Sequence, residues 1–299
     1  MPTKTLNSGE IHNYMKALYT FWSKPLRENL ARCNNEKNFI MMFIYSMLWS
    51  AKWFNKVELN TDNYGYNIFK SFETDKIKIK NTLNSFEDLD PYLFWAYPKL
   101  YSLTLQDESF IHIDGDIFIF RKLKEELFSG DFGFQNIEET YFQRTYEKIV
   151  KFCDKNLKNK PIKWNPNLKG SINCGLMYFR NHKDAKEFHD ETKKYFIDLD
   201  KDTLEKITKE LKETIKTTYV TYPLIFEQYY LNCFLQNKNI NYLLDLEQIK
   251  KEEEGKLTIQ GYVHLIEDKN NPVYLDNINI RFQLEFPDEY KLFNNLELK

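Results

Sequence analysis

The spacing of hydrophobic and polar residues along the chain predicts helices that alternate with strands. An apolar stretch over 38–52 predicts a buried helix, and polar–apolar alternation over 56–62 predicts a strand that ends in a turn at Asp62. Apolar residues at helical spacing predict a helix over 91–106, before a strand-like stretch at 110–120. Helices that alternate with strands are typical of an α/β protein.

Three later segments continue this pattern. Residues 170–179 resemble a buried strand with a polar pair inside it, 203–216 predict an amphipathic surface helix, and 262–266 predict a short strand. Residues 276–299 form a mixed tail that no pattern places. Because the sequence has no repeat and no linker rich in Gly, Ser or Pro, we expect a single domain over 1–299 with helical insertions and a core of about 12–275.

Composition narrows the class of protein. The chain has 42% hydrophobic residues, enough for a core, and 42 Lys+Arg against 44 Asp+Glu. This balance lacks the basic excess of nucleic-acid-binding proteins. The most apolar stretch, 39–49, is shorter than the roughly 20 residues of a membrane-spanning helix, and no apolar block follows the first twelve residues as in a signal peptide. The four cysteines have neither zinc-site nor disulfide-scaffold spacing, so we expect a cytoplasmic protein without a transmembrane segment.

The most informative segment is an acidic pair. Asp114 and Asp116 flank Gly115 between two apolar runs, 110–113 and 117–120. Burying two neighbouring carboxylates is unfavourable unless their charge is compensated. Mg²⁺ and Mn²⁺ bind carboxylate oxygens and complete their coordination with water and substrate phosphates, so the pair indicates a diphosphate ligand. The structural alternative is that Asp-Gly forms the tight turn of a hairpin.

The acidic pair resembles the DxD motif of nucleotide-sugar glycosyltransferases of the A-type fold, which holds Mn²⁺ or Mg²⁺ against the donor diphosphate. Residues 95–103 resemble the preceding helix, whose polar residues reach the donor, and the stretch from Asn173 is similar to the N-x-G-hydrophobic strand beside the sugar. His264 and Lys269 resemble the late His-x-x-Gly-x-x-Lys element, although Glu267 replaces the glycine and the interval is one residue short. The resemblance covers about 21–270, and the overall likeness is to a bacterial group of uncharacterised glycosyltransferase-like proteins.

This resemblance implies a Rossmann-like α/β fold with a mixed, mostly parallel sheet flanked by helices, and a donor site at the carboxyl ends of the central strands. It implies a metal-dependent glycosyltransferase that moves a sugar from a nucleotide-sugar donor, with UDP the expected nucleotide, to a glycan, lipid-linked or protein acceptor. The implied catalytic residues are Asp114, Asp116, Asn173 and Glu227; the metal ligands are Asp114, Asp116 and His264; the donor contacts are Asp62, Trp95, Lys99, Gly175, Gln228 and Lys269.

Several of these residues also have structural interpretations. His264 fits a core histidine, Asn173 fits a bond to nearby backbone, and Gly175 fits a bulge. Glu227 and Gln228 fit the first turn of a helix, and Asp62 fits a turn. His112 is expected to face away from the acidic pair. Two other functions stay open, a magnesium-dependent phosphohydrolase and a non-catalytic nucleotide- or glycan-binding module.

Overall fold

The structure, a computed structural model, describes residues 15–28, 33, 35–139, 146–213, 222–244, 261–266 and 268–298. These residues form an α/β fold with a seven-stranded sheet and two two-stranded sheets. The strands are β1 (Lys16–Phe21), β2 (Lys56–Thr61), β3 (Ile77–Asn81), β4 (Phe110–Ile113), β5 (Ile117–Ile119), β6 (Phe132–Phe134), β7 (Ile137–Glu138), β8 (Ser171–Ile172), β9 (Leu176–Phe179), β10 (Ile240–Tyr242) and β11 (Tyr262–His264).

The helices lie between and after these strands. The α-helices are α1 (Lys24–Arg27), α2 (Glu36–Trp53), α3 (Asn63–Phe69), α4 (Pro91–Phe94), α5 (Tyr97–Thr104), α6 (Glu147–Asn156), α7 (His182–Thr192), α8 (Lys201–Glu213), α9 (Tyr222–Leu224), α10 (Tyr230–Phe234), α11 (Pro272–Glu285) and α12 (Pro287–Asn294). Short 3₁₀-helices span Lys70–Phe72, Asn84–Phe86 and Glu125–Phe128, and π-helical turns span Lys193–Ile197 and Ile225–Tyr229.

The large sheet has the strand order β10-β6-β9-β4-β1-β2-β3, and β9 runs antiparallel to both of its neighbours while the other strands are parallel. The chain moves from β1 to β2 and β3 on one side, then returns to place β4 on the other side of β1. Open α/β sheets bind ligands outside the carboxyl ends of strands at such a reversal. The predicted α/β class with a mixed, mostly parallel sheet is confirmed.

Both faces of the large sheet are buried. In β1, Ala17 and Tyr19 pack in the hydrophobic cluster that contains α2, whereas Leu18 packs in a second cluster on the opposite face. Alternate side chains of a strand point to opposite faces, so strands covered on both sides read as nearly continuous apolar runs. The predicted helix over 38–52 corresponds to α2, and Asn35 caps its amino end by accepting a hydrogen bond from the backbone N–H of Asn38.

The apolar runs on either side of the acidic pair do not form a hairpin. Strand β4 pairs with β1 and β9 in the large sheet, whereas β5 pairs antiparallel with β11, where His264 lies opposite Ile117. The hairpin interpretation of Asp-Gly is therefore wrong. Asp114 and Asp116 lie instead where the chain passes from the large sheet to a small one, and the β11 pairing brings His264 beside them.

Three other expectations need correction. The turn expected at Asp62 is the amino end of α3, and the helix expected over 91–106 is divided into α4 and α5. The tail beyond 276 is helical and packs on α2: Glu285 accepts hydrogen bonds from Tyr45 at 2.6 Å and Trp49 at 2.9 Å. The sequence pattern did not predict α11 because apolar residues such as Leu284 also lie on its exposed face. The expected helix over 203–216 is described as α8, and residues 214–216 lie outside the described part.

Candidate functional site

A cleft of about 260 Å³ opens at the carboxyl ends of β1 and β4. Because β9 is antiparallel, its amino end lies at this same edge and brings the segment before it into the cleft wall. The lining residues are Thr20, Phe21, Trp22, Pro25, Leu26, Phe39, Phe43, Trp95, Ala96, Lys99, Asp114, Gly115, Asp116, Glu138, Tyr146, Asn173, Gly175, Leu224, Gln228, His264, Ile266 and Lys269. Most of the residues singled out in the sequence therefore lie around one cleft.

Asp114 is held by a lysine of helix α5. The Lys99 ammonium lies 2.8 Å from Oδ1 of Asp114 and 2.8 Å from Oε1 of Glu227, and it donates a 2.7 Å hydrogen bond to the carbonyl of Cys174. The backbone N–H of Asp114 donates to the carbonyl of Gly175 at 2.8 Å. One buried cation thus joins two carboxylates and the segment before β9.

In this group two carboxylates share one ammonium, and the pKa values of Lys99, Asp114 and Glu227 reflect that imbalance. Burial by itself lowers the pKa of Lys99, but the carboxylates of Asp114 and Glu227 outweigh burial and raise it. Burial raises the pKa of Asp114 and of Glu227, and the single lysine they share does not fully offset it. The group therefore carries more carboxylate than cation, and an added positive charge would stabilise it.

Asp116 has a different environment. Its side chain is 6% exposed, and its Oδ2 lies 2.8 Å from Nζ of Lys269 and 3.6 Å from Nε2 of His264. Burial alone would raise the pKa of Asp116, but Lys269 and His264 outweigh it and hold the pKa well below its usual range. Asp116 is therefore a carboxylate at neutral pH.

His264 is oriented by a glutamine that the sequence did not single out. Oε1 of Gln135 accepts a hydrogen bond from Nδ1 of His264 at 2.7 Å and another from the Tyr262 hydroxyl at 2.5 Å. Because an amide oxygen only accepts, Nδ1 carries a proton, and Nε2 is the ring nitrogen that faces Asp116. Such a bond on the second ring nitrogen typically orients a metal-binding histidine.

Two glycines allow close approach in the cleft. A Cβ atom on Gly175 would lie 2.5 Å from Cε1 of His264, and one on Gly115 would lie 2.3 Å from the Phe43 ring. Real Cβ atoms do not approach other atoms this closely. Glycine at 175 therefore lets the imidazole of His264 lie directly against the segment before β9.

Asn173 joins Gly175 to a carboxylate that the sequence analysis missed. Its Oδ1 accepts from the backbone N–H of Gly175 at 3.0 Å, and its Nδ2 donates to Oε1 of Glu138 at 2.7 Å. Glu138 is half-buried in the cleft wall, in the two-residue strand β7. A strand this short has no periodicity, so no local pattern identified Glu138.

Other residues from the sequence occupy separate places. Trp95 and Gln228 line the cleft, and Gln228 accepts a hydrogen bond from Tyr146 at 3.1 Å.

Glu227 is 1% exposed and is not part of the cleft wall. Asp62 also lies outside that wall. It accepts hydrogen bonds from the backbone and hydroxyl of Ser23 and from Gly65 N–H, which fixes the loop after β1 and caps α3.

The expectation for His112 is wrong. His112 and Asp114 are two residues apart, so their side chains lie on the same face of the strand, and Nδ1 of His112 lies 3.7 Å from Oδ1 of Asp114. Burial and the nearby Lys99 hold the pKa of His112 well below its usual value, so the ring is neutral. His112 lies beneath Asp114 inside the fold, and its Nε2 lies 3.1 Å from the Thr20 hydroxyl.

The chemistry of the side chains here fits a divalent cation. Two carboxylates and an imidazole nitrogen are ligands that Mn²⁺ and Mg²⁺ accept, and His264 is already close to Asp116. Even so, within the described residues no group of three or more His, Cys, Asp or Glu side chains is arranged to hold a metal ion. A lysine ammonium lies against each aspartate instead.

Fold and site together define an α/β protein with a carboxylate- and lysine-lined cleft at the carboxyl ends of its central strands. The chain belongs to DUF6734, described as a family of unknown function, whose model matches residues 15–296. The sequence has no significant match among curated proteins.

Three solved structures have distant similarity to this fold. The galactosyltransferase LgtC, in complex with donor and acceptor sugar analogues, has a TM-score of 0.44 and 7% identity, with 88% of this chain and 95% of that chain covered. Mouse xyloside xylosyltransferase 1 has a TM-score of 0.33 and 10% identity over 96% and 95% of the two chains. The 4-diphosphocytidyl-2C-methyl-D-erythritol synthase from Anaerococcus prevotii has a TM-score of 0.33 and 11% identity over 84% and 98%.

Among the helices that the structure describes, none combines the length and the apolar composition needed to cross a bilayer.

Proposed function

We propose that this protein is a metal-dependent glycosyltransferase that moves a sugar from a nucleotide-sugar donor, with UDP the expected nucleotide, to a hydroxyl group of a glycan, lipid-linked or protein acceptor. The observation that carries the proposal is the convergence of Asp114, Asp116, His264 and Lys269 at the carboxyl edge of the sheet. These residue types together suit a cation and a diphosphate.

The charge of the cleft supports the need for a cation. Three carboxylates, Asp114, Asp116 and Glu138, and two lysines, Lys99 and Lys269, are among the described lining residues. A nucleoside diphosphate is an anion, and this balance by itself would repel it. A Mn²⁺ or Mg²⁺ ion held by Asp114, Asp116 and His264 would supply Lewis-acid stabilisation of the leaving diphosphate.

The remaining residues divide the cleft into functional parts. Phe21, Trp22, Phe39 and Phe43 form an aromatic end suited to the flat base of the nucleoside. Lys269 would pair with the phosphates. Asn173, Gly175 and Gln228 would contact the donor sugar, and Glu138, which accepts a hydrogen bond from Asn173, would meet the acceptor hydroxyl.

In the transfer step, the acceptor oxygen would bond to the anomeric carbon while the bond from that carbon to the phosphate oxygen breaks and its electron pair leaves with the nucleoside diphosphate. The proton of the acceptor hydroxyl would pass to the carboxylate of Glu138, which lines the cleft. Glu227 is buried and held by Lys99, so it supports Lys99 and Asp114 rather than contacting the acceptor.

The direct test is Asp116→Asn in an assay of UDP release from a panel of UDP-sugars with Mn²⁺. We expect a loss of about a hundredfold or more with unchanged circular dichroism, because one element of the electrostatic stabilisation is removed. Asp107→Asn is the matched control, since the Asp107 side chain is 93% exposed. Full metal-dependent transfer by Asp116→Asn would reject the assignment.

The same assay separates the other two functions. Release of phosphate from simple phosphoesters such as p-nitrophenyl phosphate would indicate a phosphohydrolase. Binding of UDP by calorimetry without release of UDP from any donor would indicate a non-catalytic module.

A further inference from the structure

The ion pair between Lys269 and Asp116 occupies one carboxylate of the acidic pair. Nζ of Lys269 lies 2.8 Å from Oδ2 of Asp116, and Nε2 of His264 lies 3.6 Å from that same oxygen. The lysine ammonium therefore lies at the oxygen that a cation shared by Asp116 and His264 would use. An ammonium and a divalent cation repel strongly at this distance, so both cannot occupy it.

Lys269 is anchored differently from Lys99. Lys99 has three oxygen partners within 2.8 Å and a side chain that is 9% exposed. The side chain of Lys269 is 19% exposed, and Asp116 is the ion-pair partner that the described structure gives it. Its backbone is fixed just before α11, where the N–H of Asn271 donates to the carbonyl of Asp268. Moving the Lys269 ammonium therefore breaks one ion pair, whereas moving that of Lys99 breaks three contacts.

We infer that Lys269 competes with a divalent cation for Asp116, and that a nucleoside diphosphate removes this competition by drawing Lys269 onto its phosphates. The inference rests on the proposed function for the identity of the nucleotide. It follows that metal and nucleotide bind cooperatively, each strengthening the other by the same factor. Lys269 keeps the site closed to free metal until the donor is present.

The test measures Mn²⁺ binding by electron paramagnetic resonance and calorimetry, with and without UDP. For the natural protein we expect UDP to tighten Mn²⁺ binding by about tenfold or more. Lys269→Met should bind Mn²⁺ alone about tenfold more tightly than the natural protein, and UDP should tighten its Mn²⁺ binding by a smaller factor than in the natural protein. Measurements at about 0.5 M salt, which screens exposed charges, should preserve the difference, because the competition is a direct contact.

Lys163→Met is the control, since Lys163 is also partly buried and ion-paired, with Glu187 at 3.6 Å, but does not line the cleft. It should bind Mn²⁺ and UDP like the natural protein. The inference is overturned if Lys269→Met binds Mn²⁺ alone no more tightly than the natural protein, or if UDP binds the natural protein but leaves its Mn²⁺ affinity unchanged. Absence of UDP binding with Mn²⁺ present would instead reject the proposed function, while the comparison with Mn²⁺ alone still tests the competition.

Discussion

Asp114 and Asp116 are separated by one residue, yet their lysine partners come from different parts of the molecule. Lys99 belongs to helix α5, the helix before β4, and its ammonium is enclosed by Asp114, Glu227 and the carbonyl of Cys174. Lys269 comes from the segment after β11 and is more exposed. The difference indicates that Lys99 is the more firmly enclosed of the two lysines, and Lys269 is the one that we propose to exchange with a cation.

The largest expected effect is on stability and concerns Lys99. Lys99→Met leaves the buried Glu227 and the half-buried Asp114 without their cation, so the free energy of unfolding should fall by about 3–5 kcal/mol. Lys269→Met should lower it by a smaller amount, about 1–3 kcal/mol, because the buried carboxylate of Asp116 loses its lysine but keeps His264 as a neighbour. Urea denaturation measures both changes.

If Lys99→Met and Lys269→Met lose the same free energy of unfolding, the two ion pairs contribute equally to stability and the distinction between them is wrong. Lys163→Met, in which a partly buried ion pair outside the cleft is removed, provides the reference for the loss of an ordinary ion pair.

A smaller effect is expected at the glycine that lies against His264. In Gly175→Ala the new Cβ would meet Cε1 of His264 at 2.5 Å, so the ring has to move away from Asp116. We expect about tenfold weaker Mn²⁺ binding in the presence of UDP, comparable to the loss of a group that orients a metal ligand. The free energy of unfolding should fall by about 1–3 kcal/mol.

Gly130→Ala is the control, because its Cβ would also meet close neighbours, at 2.7 Å, but away from the cleft. If it weakens Mn²⁺ binding as much as Gly175→Ala does, the effect is one of general destabilisation, and the contact with His264 is not the cause.

The smallest expected effect is a change in pH dependence, and it tests Glu227 as the third member of the Lys99 group. Burial raises the pKa of Glu227 in the folded protein above its ordinary value of 4.5. Its contribution to stability is therefore fully present below that ordinary value and is lost as the pH rises through the folded value. Glu227→Gln cannot titrate, so its free energy of unfolding should fall less than that of the natural protein between about pH 5 and about pH 8.

Urea denaturation across this pH range measures the slope. The control is Glu187→Gln, which removes a surface carboxylate that is 54% exposed and should leave the slope unchanged. An unchanged slope in Glu227→Gln would show that the buried carboxyl is not the titrating group.

The local patterns were sufficient for much of the fold. The apolar run that became α2, the alternation that became β2 and the apolar stretch before Asp114 are each buried: α2 packs on one face of the large sheet, and the two strands lie within it. Sequence reasoning failed where the burial comes from distant residues. Strand β5 looked like half of a hairpin because its partner, β11, lies far along the chain.

For the site, the resemblance identified residues that the fold does bring into one cleft, including Asp114, Asp116, Asn173 and His264. Their roles in binding metal and donor stay predictions. Gln135 and Glu138 were missed because they lie in and beside very short strands, where only three-dimensional neighbours reveal them. His112 was misjudged by counting the strand register by one residue instead of two.

The sequence alone determined which segments are buried, and that two carboxylates follow directly after a buried strand. Both are local properties, set by residue type and spacing. Only the tertiary structure decided which lysine neutralises each carboxylate and which of the two lysines is the more enclosed. The reason is that the free energy of a buried charge depends on the distance to its partners, and Lys269 and His264 reach Asp116 only through the pairing of β5 with β11.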